Sequence, residues 1–554
     1  MKNTENQLSR HLKKDKDIPY PDFDAMWDQI VQDQERCPEL HHAAAGGQGT
    51  RGLRWKKTAL IGTAAAVLMA TPVYAAVHYN WIDLLDHRSG IQTALQNGLG
   101  QKLDKSVTVQ GVTLTLDTAF SDDNRTVILY TLNPGTYQGD TVRFPSIGLQ
   151  DESGKLIEGR YYHVLDQTDG LYKGYFETEW TPSGNTANVK LTAGGIQVLA
   201  PAEKEINLDL SRQQSQVFDI NQDGLGKLAV SVFHEKGHKV MLSTSLSLDQ
   251  PEVREYVFPS LKIYNQEKQI LEETAPGISG KPGANGEYIS EQFYNLETLK
   301  QQAASYVLAY SREEGKMDQS LDIGIQLDKT EMLSGTSKRV LNLPLDQQSG
   351  ETMVKEAVIT PTQIRVILAH DESFARLPYL NYKLDVNGTE LDGGVWPSED
   401  SKQETELRFE VNPGLKINPD TPMTLYANHQ VQYIEGEFEP VTLPAISEKP
   451  QVVDSNLGGF TIHWTYYLKD GDLYVERYSD DSHFGGINQT YMQQQGERSY
   501  GVPAKTQFAG DGSNQGIDRY EKYTSDTAVV YPYMYSTEEP ERKAAVPLTA
   551  EKKN

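Results

Sequence analysis

The sequence predicts a mainly β fold: a short cytoplasmic amphipathic helix and a single transmembrane helix, followed by tandem β-sandwich ectodomains. Three observations predict it. A 20-residue run without charge occupies residues 58–77, "TALIGTAAAVLMATPVYAAV". Beyond it, alternating β-branched and aromatic runs separated by polar turns recur along the chain, which is a hairpin signature. The chain has 554 residues but one cysteine, Cys37. One thiol cannot form an internal disulfide or a Cys-rich zinc site, so each unit must be held by its own apolar core.

The first element is the tail, residues 1–57. Within "YPDFDAMWDQIVQDQERCPE", Phe23, Met26, Trp27, Ile30 and Gln34 follow helical spacing, with Val31 at the edge of the stripe. Asp22 is placed to cap this helix, Asp24 and Asp28 favour the positive end of its dipole, and Pro38 ends it. A helix over residues 22–36 is too short to be stable alone in water, so its apolar stripe calls for a partner. The inner membrane face is one candidate, but anionic lipids attract Lys and Arg rather than this acidic face. A groove on a cytoplasmic protein suits it better. "AAAGGQGT" then reads as a flexible tether.

The uncharged run comes next. About 20 apolar residues cross about 30 Å of hydrocarbon. Arg51, Arg54, Lys56 and Lys57 precede it and few basic residues follow closely. The positive-inside rule then places the N-terminus in the cytoplasm and the C-terminal bulk outside the cell membrane. Arg54, Trp55, Lys56 and Lys57 on one side, and Tyr79 and Trp81 on the other, are the expected membrane-flanking residues. Two other readings fit the same run. Its Ala and Thr content also suits a buried core helix. "VYA" before Ala76 resembles a signal-peptide cleavage site, although 57 residues ahead of the run exceed a usual leader.

Residues 78–103 are expected to form a juxtamembrane stalk. Four similar openings follow: "VTLTLDTAFSDDNRTVILYTL" (112–132), "LAVSVFHEKGHKVMLSTSL" (228–246), "EAVITPTQIRVILAH" (356–370) and "FTIHWTYYLKDGDLYVERYS" (460–479). Four endings also look alike: "INLDLS", "VLNLPLD", "VTLPAIS" and "AVPLTAE". They delimit units at about 104–212, 217–346, 353–447 and 454–551, each large enough for a core. Short strands with frequent turns imply sandwiches of immunoglobulin-like type. Pro344, Pro444 and Pro547 lie in the closing strands, which suits edge strands. A single continuous β fold is the alternative.

The tail with "DFDAMWDQI", the span, and "NWIDLLDHRSGIQTALQNGLGQKLDKSVTVQGVTLTLDTAFSDDNRTVILYTL" resemble a family of membrane proteins from Gram-positive bacteria. They are negative effectors, or anti-sigma factors, of extracytoplasmic-function sigma factors, and their ectodomains belong to unknown-function families. The resemblance is best over about residues 18–135, with a second domain at about 217–346. It implies a sigma factor as cytoplasmic partner, held through Phe23, Met26, Trp27 and Ile30. The chain departs from the zinc-binding members of this family. The tail offers only Cys37 with His11, His41 and His42, and no Cys-x-x-Cys pair.

Several motifs have competing meanings. "HEKGH" (234–238) matches H-E-x-x-H, whose chemistry needs both histidines on one helical face. Here the flanks alternate with period two and Gly237 favours a turn, so a hairpin is expected and no peptidase. "DINQDG" (219–224) begins like a calcium loop, but its twelfth position is Val230 rather than Glu. The last unit is rich in tyrosine (466, 467, 474, 478, 491, 500, 520, 523, 531, 533 and 535). That reads as a stacking surface for glycan, a rim for a protein, or plain strand composition. The net charge of −25 opposes nucleic acid as a partner. No catalytic residue, metal site or cofactor is expected, and the chain is not expected to be an enzyme. The expected function is that of an anti-sigma factor whose ectodomain senses an unknown envelope ligand or protein. The alternative is a cell-surface binding or adhesion protein.

Overall fold

The computed structural model describes residues 81–548, apart from 138, 140, 213, 235–237, 347–351, 399–400, 419 and 495. The tail helix, the apolar run and the named residues Phe23, Met26, Trp27, Ile30, Arg54, Trp55, Lys56, Lys57 and Tyr79 lie outside the described residues. Among the described residues, no helix is long and apolar enough to cross a membrane.

The described chain is mainly β and falls into two compact units. One comprises Ala202–Ser311; the other joins the preceding chain to residues from Arg312 onward. In the interrupted unit, the first module has two sheets around one core. One sheet orders its strands Gln101–Val109, Val112–Ser121, Thr126–Asn133, Leu171–Thr178, Arg160–Asp166. The other runs Leu321–Asp328, Thr186–Ala193, Ile147–Asp151, Leu156–Glu158. Alternate side chains from both meet inside: Leu114, Leu116, Ile128 and Tyr130 from the first, Leu149, Leu191, Ile323 and Ile325 from the second. That is the sandwich arrangement, with period-two burial along strands such as Leu321–Asp328, whereas Thr126–Asn133 is buried on both faces.

A long sheet in the same unit begins Ser337–Pro344, Thr352–Ile359, Gln363–His370, Glu404–Glu410, Thr389–Pro397, Tyr379–Val386. It continues through Met423–Glu435, Ala528–Pro547, Phe484–Gln494 and Glu497–Tyr500. Its first part wraps a third-module core that includes Val366, Leu384, Leu407, Phe409 and Leu425. Its later part joins the fourth-module sheet of Gln451–Leu457, Phe460–Lys469, Asp472–Tyr478, Gly516–Tyr520 and Val502–Lys505 around Trp464, Tyr466, Val475 and Ile487. The unit Ala202–Ser311 has its own sheet, ordered Gln216–Gln222, Leu225–His234, Lys239–Leu248, Tyr288–Asn295, Ala275–Pro282. Its core includes Val230, Val232, Leu242, Leu261 and Ile263.

All four openings are antiparallel hairpins. The sharpest is Asp470-Gly471, where both residues have positive φ, 55° and 84°, as a tight two-residue turn requires. The endings behave differently from the expectation. Leu341 of "VLNLPLD" and Val441, Leu443 and Ile446 of "VTLPAIS" pack in the core that follows them, not the one before. Val546 and Leu548 of "AVPLTAE" return to the third-module core. Leu321–Asp328, expected in the second unit, pairs with Thr186–Ala193 of the first module. A strand's sequence reports which face it buries, and antiparallel pairing leaves the identity of its neighbour to tertiary packing.

The expected stalk is folded onto this architecture. Helix α1 (Trp81–Leu84) and helix α2 (Ser89–Gln96) bury Trp81, Leu85, Ile91 and Ala94 against Phe120, Val127, Leu129 and Tyr175 of the first module. Trp81, expected at a membrane interface, is only 3% exposed in this core. An aromatic residue beside an apolar run suits either setting, and here a protein surface offers the larger burial.

Candidate functional site at a buried junction

Two of the hairpin turns meet face to face. The first module's turn, Asp122–Arg125, joins Val112–Ser121 to Thr126–Asn133; the third module's turn, Thr360–Thr362, joins Thr352–Ile359 to Gln363–His370. Both are closed by their own side chains: Asn124 N–H and Arg125 N–H donate to Asp122 Oδ1, and Gln363 N–H donates to Thr360 Oγ1. Across the junction, Thr362 Oγ1 donates to Asp122 Oδ2 at 2.7 Å, and Asn124 Nδ2 donates to the Gln363 carbonyl at 3.0 Å. Asp122, Asn124 and Thr362 are all buried. Turns normally face water, so polar turn residues this deeply covered mark a specific contact.

Arg125 lies at the centre. Its side chain is 2% exposed. The guanidinium donates to Glu177 Oε1 at 2.8 Å, to Glu410 Oε1 at 2.6 Å and Oε2 at 2.8 Å, and to Thr362 Oγ1 and carbonyl at 3.2 Å. The Glu410 contact is a bidentate fork, the geometry that favours arginine over lysine. Burial opposes the charge on Arg125, but Glu410 and then Glu177 outweigh it and raise the pKa. Burial likewise works against ionised Glu177, but Arg88 and Arg125 hold its pKa far below the usual carboxylate range.

A second cluster continues the junction. Glu406, Arg408 and Glu410 are alternate residues of Glu404–Glu410, so they share one face while Leu407 and Phe409 fill the core. Arg408 and Arg365 both bridge Glu406 of the third module and Glu179 of the first. Trp396 lies between two guanidinium groups, with Arg160 of the first module 4.5 Å and Arg408 4.7 Å from its ring centroid. Arg160 is exposed and Trp396 half-buried, so these cation–π contacts add about 0.5–1 kcal/mol each.

Helix α2 reaches the same point. Arg88 Nε donates to Glu177 Oε2 at 2.9 Å, and Gly90 N–H donates to Glu410 Oε2 at 3.1 Å. Thr93 Oγ1 lies 3.3 Å from the Val411 carbonyl. A Cβ at Gly90 would fall 1.7 Å from the Thr362 carbonyl oxygen, so only glycine allows this approach. Glu177 and Glu410 therefore each serve two masters: the Arg125 guanidinium and the start of α2.

None of these residues is singled out by the sequence. Charge at Glu406, Arg408 and Glu410 alternates with apolar residues, a pattern that a solvent-facing strand shares. The signal in the sequence is that both turns lie between the two strand runs of similar openings, 112–132 and 356–370. The motifs that were singled out fall elsewhere. His234 ends the strand Leu225–His234 and pairs with Val240, and both His234 and His238 are exposed. His234 therefore lies on a strand paired with Lys239–Leu248 and not on a helical face shared with His238. "DINQDG" lies at a hairpin turn, with Asp223 and Gly224 at positive φ. No group of His, Cys, Asp and Glu among the described residues has a metal-holding arrangement. Of the last module's tyrosines, Tyr466, Tyr474, Tyr491, Tyr520 and Tyr535 are buried, and Tyr491 stacks on Tyr531 with centroids 5.1 Å apart.

A family model described as "Domain of unknown function (DUF4179)" matches residues 51–133. No curated protein matches the chain. Among solved structures, the crystal structure of the conserved domain protein from Bacillus anthracis is 12% identical. That match covers 56% of this chain and 90% of the other, with a TM-score of 0.16. A Paenibacillus xanthan lyase is 9% identical over 80% of this chain and 56% of the other, with a TM-score of 0.09.

Proposed function

We propose that the chain is a single-pass membrane anti-sigma factor. Its cytoplasmic tail helix, through Phe23, Met26, Trp27 and Ile30, sequesters an extracytoplasmic-function sigma factor. Its extracellular immunoglobulin-like sandwiches sense an envelope condition. The family match at residues 51–133 supports this reading, because it spans the apolar run and the first hairpin, on which the resemblance partly rests. The observation that carries it is the grip on α2. The segment Arg88–Gln96, which carries α2 and follows the apolar run, is bonded to Glu177 of one module and Glu410 of another. A rearrangement of the ectodomain is thereby felt at the chain that enters the bilayer.

The test is capture of cytoplasmic proteins on residues 1–57. A sigma factor retained by the native tail and lost with Trp27→Ala supports the reading, since buried aromatic anchors dominate short interfaces. A tail that captures no sigma factor overturns it. The second reading, a surface binding protein with an inert tail, is favoured by the tyrosine row Tyr500–Tyr491–Tyr531, in which Tyr500 keeps 38% exposure. It predicts that deleting residues 1–50 leaves function intact.

A further inference from the structure

We infer that α2 and the docking of the first module on the third form one two-state device, in which each contact requires the other. The inference concerns the ectodomain alone and does not depend on what the tail binds.

α2 has eight residues and lacks a cap of its own: Arg88 at its N-cap makes no side-chain cap bond. A helix this short is unstable in isolation, and the amides of its first turn need acceptors. The acceptor for Gly90 N–H is Glu410, which belongs to the third module and places a negative charge at the positive end of the helix dipole. The same carboxylate holds Arg125 of the first module. Arg88, just before α2, is held by Glu177, whose other oxygen also takes Arg125. The two carboxylates are thus shared between the helix and the module junction. When the modules part, Glu410 leaves and α2 loses its cap; Ile91 and Ala94 still touch the first module, so the helix frays from its start. When α2 is pushed out of register at Gly90, Thr362 and Glu410 are displaced, and these are the third module's contacts with Arg125. By linkage, the free energy transferred must be equal in both directions.

The experiment uses the full-length chain with Cys37→Ser in lipid nanodiscs, and reads two quantities. Hydrogen exchange of residues 89–96 reports α2. Electron-electron resonance between spin labels at the exposed Lys155→Cys and Asp392→Cys positions reports the spacing of the two modules. Asn124→Ala and Arg408→Gln remove bonds across the junction from residues that do not touch α2. They are expected to raise α2 exchange about tenfold, the loss of one good cap. Gly90→Val is expected to broaden the inter-label distances by a matching population shift. Exchange of the strand Thr126–Asn133 reports whether the first module stays folded. If Gly90→Val unfolds it, Ser89→Ala with Thr93→Val replaces that variant, with the same expectation. Modules that part without faster α2 exchange, or α2 that loosens without a change in spacing, overturn the inference.

Discussion

Arg125→Met removes the charge at the centre of the junction while keeping most of the side-chain volume. Arg125 is 2% exposed, and its partners Glu177 and Glu410 keep only 18% and 24% exposure. Taking away one member of a buried pair leaves the other charges without compensation, which costs about 3–5 kcal/mol. Glu177 retains Arg88, so the lower part of that range is expected. For a unit of about 350 residues unfolding together, the unfolding entropy converts this into a drop in Tm of roughly 4–7 °C. The pH dependence supplies a second signature. Glu177 has a folded pKa held well below its unfolded value of 4.5. Its contribution is therefore complete above pH 4.5 and is lost as the pH falls below it. In Arg125→Met that acid-sensitive portion shrinks, so stability becomes flatter below about pH 4.5. Calorimetry and urea titrations of Arg125→Met, Glu410→Gln and the double variant between pH 3 and 7 measure both effects. The double variant should be more stable than the sum of the single losses predicts, because Glu410→Gln removes the charge that Arg125→Met strands. A loss below about 1 kcal/mol, or additive single effects, would refute the reasoning.

Two further outcomes follow from the fold. Trp81→Ala should cost about 3–5 kcal/mol in urea titrations, because it empties a core position; a residue outside that core would leave the stability of the first module unchanged. His163 is enclosed by Tyr130, Phe144, Tyr161 and Tyr172, with Nε2 donating to the Val142 carbonyl at 2.5 Å and Nδ1 facing Tyr130 Oη. Burial pushes its pKa down from 6.5 to about 4. The unfolded chain then takes up a proton below about pH 6.5 that the folded module accepts only near pH 4, so stability should fall across that window. His163→Gln should remove the slope, and an unchanged slope in proton-linked stability refutes the assignment.

The hairpins were legible because alternation and turn chemistry are local properties. "KDGD" specifies its turn by residue type alone, and the positive φ values at Asp470 and Gly471 follow from it. Strand partners were not legible. Nothing in "LDIGIQLD" distinguishes a strand of the second unit from one that pairs with "TANVKLTA" more than a hundred residues earlier. The junction was hidden for a related reason. In "ELRFEV", charge at every second position is what solvent selects, and it is also what a polar interface between modules selects. Gly90 carried no signal because its need for a missing side chain arises from Thr362, far away in sequence. Trp81 was misplaced by its neighbours: proximity to an apolar run suggested lipid where a protein core was available.

The strand Ala528–Pro547 runs for 20 residues, along the fourth module and then into the third. Val546 and Leu548, almost at its end, complete the third-module core. A chain is made from its N-terminus, so this core stays open until Val546 and Leu548 have been synthesised. Thr362 and Glu410, which hold Arg125 and the start of α2, stand on that same module. The grip on α2 is therefore among the last features to assemble, although α2 is among the first described segments made. A chain cut short by a few dozen residues would carry every residue of the junction and still lack the scaffold that closes it. The start of α2 is thus secured only after residues more than four hundred positions later have joined the third-module core.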